Sequence, residues 1–278
     1  MAIYVGLIAC EDRAGLVHEI TGVLFKRKFN VTENQEFVDH RQGRFFMRTQ
    51  FEGQAEAAAL AFDLRQFLPK GALCQVRELK ARRLVVMASA EPHCLGEILL
   101  RHFHHELNAE ILAVLSQTNE CRDLTARFGL PFEHIPVAGQ ERHAHEAQIL
   151  KSIAKYQPDY LVLARYMRIF SEDFVGRFNQ SIVNIHHSFL PAFIGKNPYQ
   201  QAYERGVKII GATAHFVTKD LDEGPIITQD VIHVDHTCSP EAMARLGQDV
   251  EKLVLMRGLN LVLEDRVLID GNRTIVFS

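Results

Sequence analysis

Lys80-Ala81-Arg82-Arg83-Leu84-Val85-Val86-Met87-Ala88 divides the chain between two patterns of secondary structure. Its basic start reads as a solvated linker and marks a domain boundary. Its second part is a continuous apolar run of strand length, as expected of a strand buried on both faces. Downstream, strand and helix patterns alternate: a helix over 94–103, a strand over 111–115, a short helix over 124–128 and a strand over 132–137. A long helix over 144–156 and a buried strand over 160–164 follow. This alternation predicts an α/β fold with a doubly wound, mostly parallel sheet. Ligands of such sheets bind at the carboxyl ends of the strands, so the segments that leave those ends are where chemistry is expected.

Upstream of the divide the pattern differs. Residues 3–10 are strand-like, and Leu16, Ile20, Val23 and Leu24 then recur at helical spacing. Residues 31–38 read as a strand, 39–43 as a turn, and Phe45, Met47, Thr49 and Phe51 alternate in the next strand. A second helix carries Leu60, Leu64, Phe67 and Leu68 up to Pro69, and 73–79 closes the unit as a strand. The order β-α-β-β-α-β is the ferredoxin-like split arrangement. The expected domains are therefore 1–80 and 84–278. The second ends in a helix over 242–264, with Leu246, Val250, Leu253, Val254 and Leu261 on one side, and a hairpin around Asp270-Gly271-Asn272.

A length of 278 residues accommodates two such domains, and 47% hydrophobic with 23% charged residues describes a soluble globular chain. A net charge of −3 points to neither a nucleic-acid nor a membrane partner. No apolar run reaches the length of a membrane span, and the N-terminus lacks the basic start of a signal peptide. The five cysteines are odd in number and scattered, which favours a reducing cytoplasm over a disulfide framework. Arg101-His102-Phe103-His104-His105 lacks a carboxylate or cysteine at ligand spacing and reads as a wet helix end, so no metal is expected.

Ser181-Ile182-Val183 leads as a strand into Asn184-Ile185-His186-His187-Ser188-Phe189-Leu190-Pro191. Asn184 and His186 lie two apart, so on an extended backbone their side chains point the same way. An amide and an imidazole aimed at one spot offer a hydrogen-bond donor for a carbonyl oxygen and a proton carrier near neutral pH. By itself the stretch equally suits a strand end with a turn asparagine and a solvated histidine. Residues 209–217 form another strand, and the acidic turn Asp220-Leu221-Asp222-Glu223-Gly224-Pro225 precedes the strand begun by Ile226. Such a turn can bring Asp222 beside His186, where a carboxylate orients the ring and supports its charged form.

Asn184-x-His186 followed by the Asp222 turn resembles the folate-dependent formyltransferase family, from about Arg83 to about Glu264. The resemblance implies 10-formyltetrahydrofolate as substrate, with no further cofactor. It implies catalytic roles for Asn184, His186 and Asp222. Arg165, Tyr166, Met167, Arg168, Ile169 and Phe170 resemble the family's folate-pocket loop, with Thr218, Lys219, Asp220 and Leu221 expected on the pterin from the other side. His215 and His93 are candidate supporting groups; a packed core histidine is equally compatible with His215. Asp12-x-x-Gly15-Leu16-Val17 resembles an ACT domain, which implies an amino-acid effector at Asp12, Gly15 and Leu16 and assembly into a homo-oligomer. A turn glycine serving only structure remains open there.

The nucleophile separates the family's members. Ser89-Ala90-Glu91-Pro92-His93-Cys94-Leu95-Gly96, after the first strand, has one glycine and an acidic residue where a phosphate-bearing acceptor would need a glycine-rich cradle. No basic RNA-binding extension follows the terminal hairpin. Water remains, and an ACT unit before the catalytic domain resembles the family's hydrolytic members, which yield formate and tetrahydrofolate. In those members a histidine follows Pro-Tyr, where this chain has Gln200 after Pro198-Tyr199. A transferase acting on a small non-phosphorylated amine and a non-catalytic folate or amino-acid sensor are the alternatives.

Overall fold

A computed structural model describes residues 2–54, 56–192 and 198–278. The chain divides into two compact units, Met1–Lys80 with Glu264–Asp270 and Ile275–Ser278, and Ala81–Leu263 with Gly271–Thr274.

The first unit runs β1 (Ala2–Glu11), α1 (Leu16–Lys26), β2 (Asn30–Asp39), β3 (Arg44–Gly53), α2 (Ala57–Arg65) and β4 (Leu73–Glu78). Its four strands lie antiparallel in the order β2-β3-β1-β4, the ferredoxin-like arrangement expected from the pattern. One sheet face buries Tyr4, Ile8, Met47 and Phe51 against Leu16, Ile20, Leu24, Leu60 and Leu64 of the helices. Alternation sends Val5, Leu7, Ala9 and Phe46 to the opposite face, where Leu268 and Phe277 cover them. The buried Arg48 guanidinium is held by Glu33 Oε2 at 2.9 Å and by the carbonyls of Glu264 and Asp265 at 3.1 Å. Gly15 begins α1 at φ 91°, a left-handed conformation that favours a residue without Cβ. The second helix stops at Arg65, short of the expected Phe67, which is 43% exposed.

The second unit contains β5 (Arg82–Ala88), α3 (His93–Phe103), β6 (Ala109–Ser116), α4 (Arg122–Arg127), β7 (Phe132–His134), α5 (Arg142–Tyr156) and β8 (Tyr160–Ala164). It continues with α6 (Glu172–Gly176), β9 (Ile182–His186), α7 (Pro198–Arg205), β10 (Ile209–Phe216), β11 (Ile226–His233) and α8 (Pro240–Leu263). The chain closes with the hairpin β12 (Val267–Asp270) and β13 (Arg273–Val276). Seven strands form one sheet in the order β11-β10-β9-β8-β5-β6-β7, parallel except where β10 pairs β9 and β11. Residues 84–88 lie inside it, between β8 and β6, with no exposed surface. From β5 the chain winds outward through β6 and β7 and then crosses back to β8, so the winding direction reverses between β5 and β8.

Further expectations need correction. The tail, expected to belong wholly to the second domain, contributes 264–270 and 275–278 to the first unit, because Leu268 and Phe277 are buried there. The strand expected over 132–137 stops at His134, two residues before Pro136, which has no N–H for a ladder. On the last helix Val250 and Val254 are buried as expected, but Leu253 is 55% exposed, and the buried side extends instead to Gly247, Glu251 and Leu255. Among the described residues no helix is long and apolar enough to cross a membrane.

Candidate active site

The site is built where β8 and β9 end. In the antiparallel pairing of β9 with β10, Asn184 opposes His215 and His186 opposes Thr213. The two-residue period therefore aims Asn184 and His186 to one side, with His215 as the cross-strand neighbour of the amide. The β10–β11 pairing shifts register between Ala214 and His215, a bulge beside the site. After β10 the chain turns through 217–225, and Asp222 adopts φ 56° at the tip. Gly224 is required in this turn, since a Cβ there would run into the Phe216 carbonyl.

The turn brings Asp222 Oδ1 to 3.3 Å from His186 Nδ1 and 3.8 Å from His215 Nε2. His186 Nε2 is buried and has no protein partner among the described residues. The carboxylate beside Nδ1 favours the tautomer protonated there, and Nε2 then carries the lone pair that can take or return a proton. His215 Nδ1 donates to the Phe216 carbonyl at 3.0 Å, so its Nε2 accepts from Asn184 Nδ2 at 3.1 Å. This bond fixes the amide's orientation and leaves its second N–H available for an oxygen in the cavity. His215 thus supports the amide as well as packing in the core.

Electrostatics agree with these roles. Burial pushes the Asp222 carboxyl up, but the hydrogen bond and charge of His186, with help from His215, outweigh burial and hold it below its ordinary value. Burial lowers His215, which favours the neutral ring that accepts from Asn184. His187 stacks on His186 with ring centres 4.9 Å apart. Burial, and then the charge of Arg165, push it down to about 4, so it is neutral at physiological pH.

Asn184, His186, His215 and Asp222 line a cavity of about 330 Å³ together with residues 165–170 and 218–221. Small-molecule sites commonly span roughly 300–1,000 Å³. Residues 165–170 and 218–221, expected on the folate, all line this cavity. Tyr166 and Phe170 stack at 5.4 Å, Phe170 and Phe174 at 4.0 Å, which anchors the loop, while Met167 and Ile169 are exposed at 55% and 61%. The loop's far end is pinned by Glu146, which accepts from the Ser171 N–H at 2.7 Å and from its hydroxyl.

His93 lies elsewhere. It is not among the residues lining the cavity; its Nε2 bonds Glu251 Oε2 at 2.8 Å. Glu251 also takes the Tyr199 hydroxyl at 2.7 Å and lies 3.4 Å from Arg165 Nε, while Glu91 takes the same guanidinium at 3.2 and 3.1 Å. Glu251, Tyr199 and Glu91 were not among the expected site residues. Burial pushes the Glu251 carboxyl up, but His93, Arg165 and Tyr199 together hold it below the usual carboxylate range. Gly247, one turn earlier on α8, makes room for the phenol, since a Cβ there would collide with Tyr199 Oη. His93, Cys94 and Glu251 each offer a ligand atom within 4.8 Å of the others. A cation would nevertheless share its carboxylate oxygen with the Arg165 guanidinium, and burial raises the Cys94 thiol well above its ordinary value. The set does not fit a metal ion. In the first unit Asp12 is exposed, with its N–H on the Gly43 carbonyl at 2.8 Å, and Leu16 is buried beneath the Gly15 turn.

Comparison with known proteins identifies the family. A model described as formyl transferase matches residues 82–259. Formyltetrahydrofolate deformylase of Escherichia coli O6:H1 (strain CFT073) is 52% identical over 267 residues, covering 96% of this chain and 95% of that protein. The crystal structure of a formyltetrahydrofolate deformylase from Pseudomonas syringae pv. tomato superposes with a TM-score of 0.95 at 38% identity, over 100% of this chain and 95% of that one. Glycinamide ribonucleotide transformylase 1 from Symbiobacterium toebii reaches a TM-score of 0.68 at 31% identity and covers 71% of this chain and 95% of that one. With such identity sustained over both units, the chain belongs to the formyltetrahydrofolate deformylase family.

Proposed function

We propose that this chain hydrolyses 10-formyltetrahydrofolate to formate and tetrahydrofolate, as a hydrolase of a linear amide C–N bond with no resident cofactor. The observation that carries the reading is the Asp222–His186 pair, whose buried Nε2 has no protein partner among the described residues, on a histidine that lines a cavity of small-molecule size. In this reading the pterin lies between residues 165–170 and the turn 218–222, held mainly by backbone groups, and the formyl carbonyl reaches Asn184.

A water held by His186 Nε2 attacks the formyl carbon and gives its proton to that nitrogen. The C–O bond forms, and charge moves to the carbonyl oxygen, which accepts the free N–H of Asn184. One such donor is typically worth about 2.7–4 kcal/mol in the barrier. Asp222 supports the imidazolium through Nδ1–H. His186 then returns the proton to N10 as the C–N bond breaks, and the product ionises to formate. General acid–base work of this kind contributes roughly 10²–10⁴-fold.

The test is incubation of the pure protein with 10-formyltetrahydrofolate and no amine. Formate should appear with one tetrahydrofolate per formate. A requirement for an added amine would hand the chain to the transferase reading. We further place the protein in the reducing cytoplasm, consistent with its free cysteines. The first unit is read as an ACT-type module that binds an amino acid at Asp12, Gly15 and Leu16 in a homo-oligomer.

A further inference from the structure

The winding of the sheet reverses between β5 and β8. In open α/β sheets, a ligand crevice lies at such a reversal, outside the carboxyl ends of the strands. Here the chain itself occupies that place. Ser89, just past β5, donates its hydroxyl to the Arg165 carbonyl, just past β8, at 2.6 Å. Glu91 closes on the Arg165 guanidinium from the β5–α3 turn. Glu251 enters from α8 and gathers His93, Tyr199 and Arg165 around one carboxylate. Its side chain is 1% exposed and that of Arg165 8%. The ring of His187, stacked on His186, lies 6.2 Å from that of Tyr199, so this filled crevice adjoins the catalytic histidine.

We infer that Glu251 is a specificity-determining residue: it fills the crevice beside His186 with an internal carboxylate and so reserves the formyl group for water. The inference rests on the hydrolase reading and explains how it is enforced. The folate loop and the turn 218–222 share the folate cavity with His186, so a second substrate would need the space on the Tyr199 side. An anionic acceptor meets a second barrier. The Arg165 guanidinium, which would attract a phosphate, already holds Glu91 and Glu251 on Nε and Nη2, while its buried Nη1 has no protein partner among the described residues. Neither carboxylate acts on the reacting atoms; both act by exclusion.

The experiment is a partition assay with hydroxylamine, a small nucleophile that is mostly neutral at pH 7. In the competing step its nitrogen attacks the formyl carbon, the C–N10 bond breaks, and N10 takes up the proton that hydroxylamine gives up. The products are N-hydroxyformamide and tetrahydrofolate, with no redox change. The wild type should release formate alone, with N-hydroxyformamide no faster than without enzyme. In Glu251→Ala the ratio of N-hydroxyformamide to formate should rise at least about tenfold, within the roughly 10–200-fold that such pocket changes command. Glu251→Asp keeps the charge and withdraws it by one methylene; it should show a smaller rise and serves if the alanine variant does not fold. N-hydroxyformamide from the wild type, or a variant that still hydrolyses at an unchanged ratio, overturns the inference. A wild type that releases no formate without amine instead overturns the hydrolase reading.

Discussion

Replacing Asp222 by Asn tests the proposed chemistry most directly. The amide has nearly the same shape, so the turn and cavity should persist, but it carries no charge to balance an imidazolium. Asp222 Oδ1 lies 3.3 Å from His186 Nδ1. Two unit charges at that separation attract by about 5 kcal/mol at an effective dielectric near 20. The imidazolium is only partly formed in the transition state, and the amide carbonyl can still accept from Nδ1–H, so half or more of this should reach the barrier. Each 1.36 kcal/mol is a factor of about ten, which places the loss in kcat at about 10²- to 10⁴-fold. In the proposed mechanism Asp222 acts on the formyl group through His186, so folate affinity should stay within about threefold, as for a group acting mainly in the transition state. The assay is formate release under saturating substrate, with binding measured separately by calorimetry. A variant with kcat within threefold of wild type, or one in which affinity falls as far as kcat, would refute the reasoning.

Other residues give independent checks. His187 is pushed down to about 4 by burial; the unfolded chain, with an ordinary histidine near 6.5, binds that proton first, so stability should fall as pH drops from 6.5 towards 4. Urea unfolding of His187→Gln should therefore lose about 2 kcal/mol less than wild type between pH 7 and pH 5, and equal losses would contradict the burial argument. Gly247→Ala drives a methyl group into Tyr199 Oη and should destabilise by about 1–3 kcal/mol, read as a lower Tm; an unchanged Tm would show that the phenol moves freely. For the first unit, calorimetry and formate release with glycine and with methionine should show one of them binding the full chain and changing turnover. An effect of 5–150-fold on affinity is typical of such coupling, and binding by neither would leave the unit as an assembly surface.

Much of the site was legible because β structure has a rigid period. Asn184 and His186 fall on one side of β9 whatever surrounds them, and the acidic turn ending in Gly224-Pro225 announces a tight reversal that delivers Asp222. The βαββαβ pattern and the alternation after Arg83 were readable for the same reason. Glu251 was not. A carboxylate on a helix is read as a solvated residue, and its burial depends on His93, Tyr199 and Arg165, which come from distant parts of the chain. The assigned face of α8, with Leu253 inside, also pointed away from it. One local clue existed: Gly247 interrupts a long helix one turn before Glu251, and an interior glycine commonly marks a close approach. The helices α6 and α7, with 5 and 8 residues, are too short for a helical period to stand out.

The first unit takes its last pieces from the other end of the chain, since Leu268 and Phe277 cover Val5, Leu7, Ala9 and Phe46. During synthesis, residues 81–263 must leave the ribosome before that cover exists. The four strands and two helices can assemble early, but one face of their sheet stays apolar and wet until translation is nearly finished, a state in which nascent chains aggregate. The same wiring makes closure of that face a contact of very long sequence separation, a feature associated with slow folding. It follows that a fragment cut at Lys80 would carry an uncovered sheet face, so the first unit cannot be detached from the rest of the chain simply by trimming at the linker.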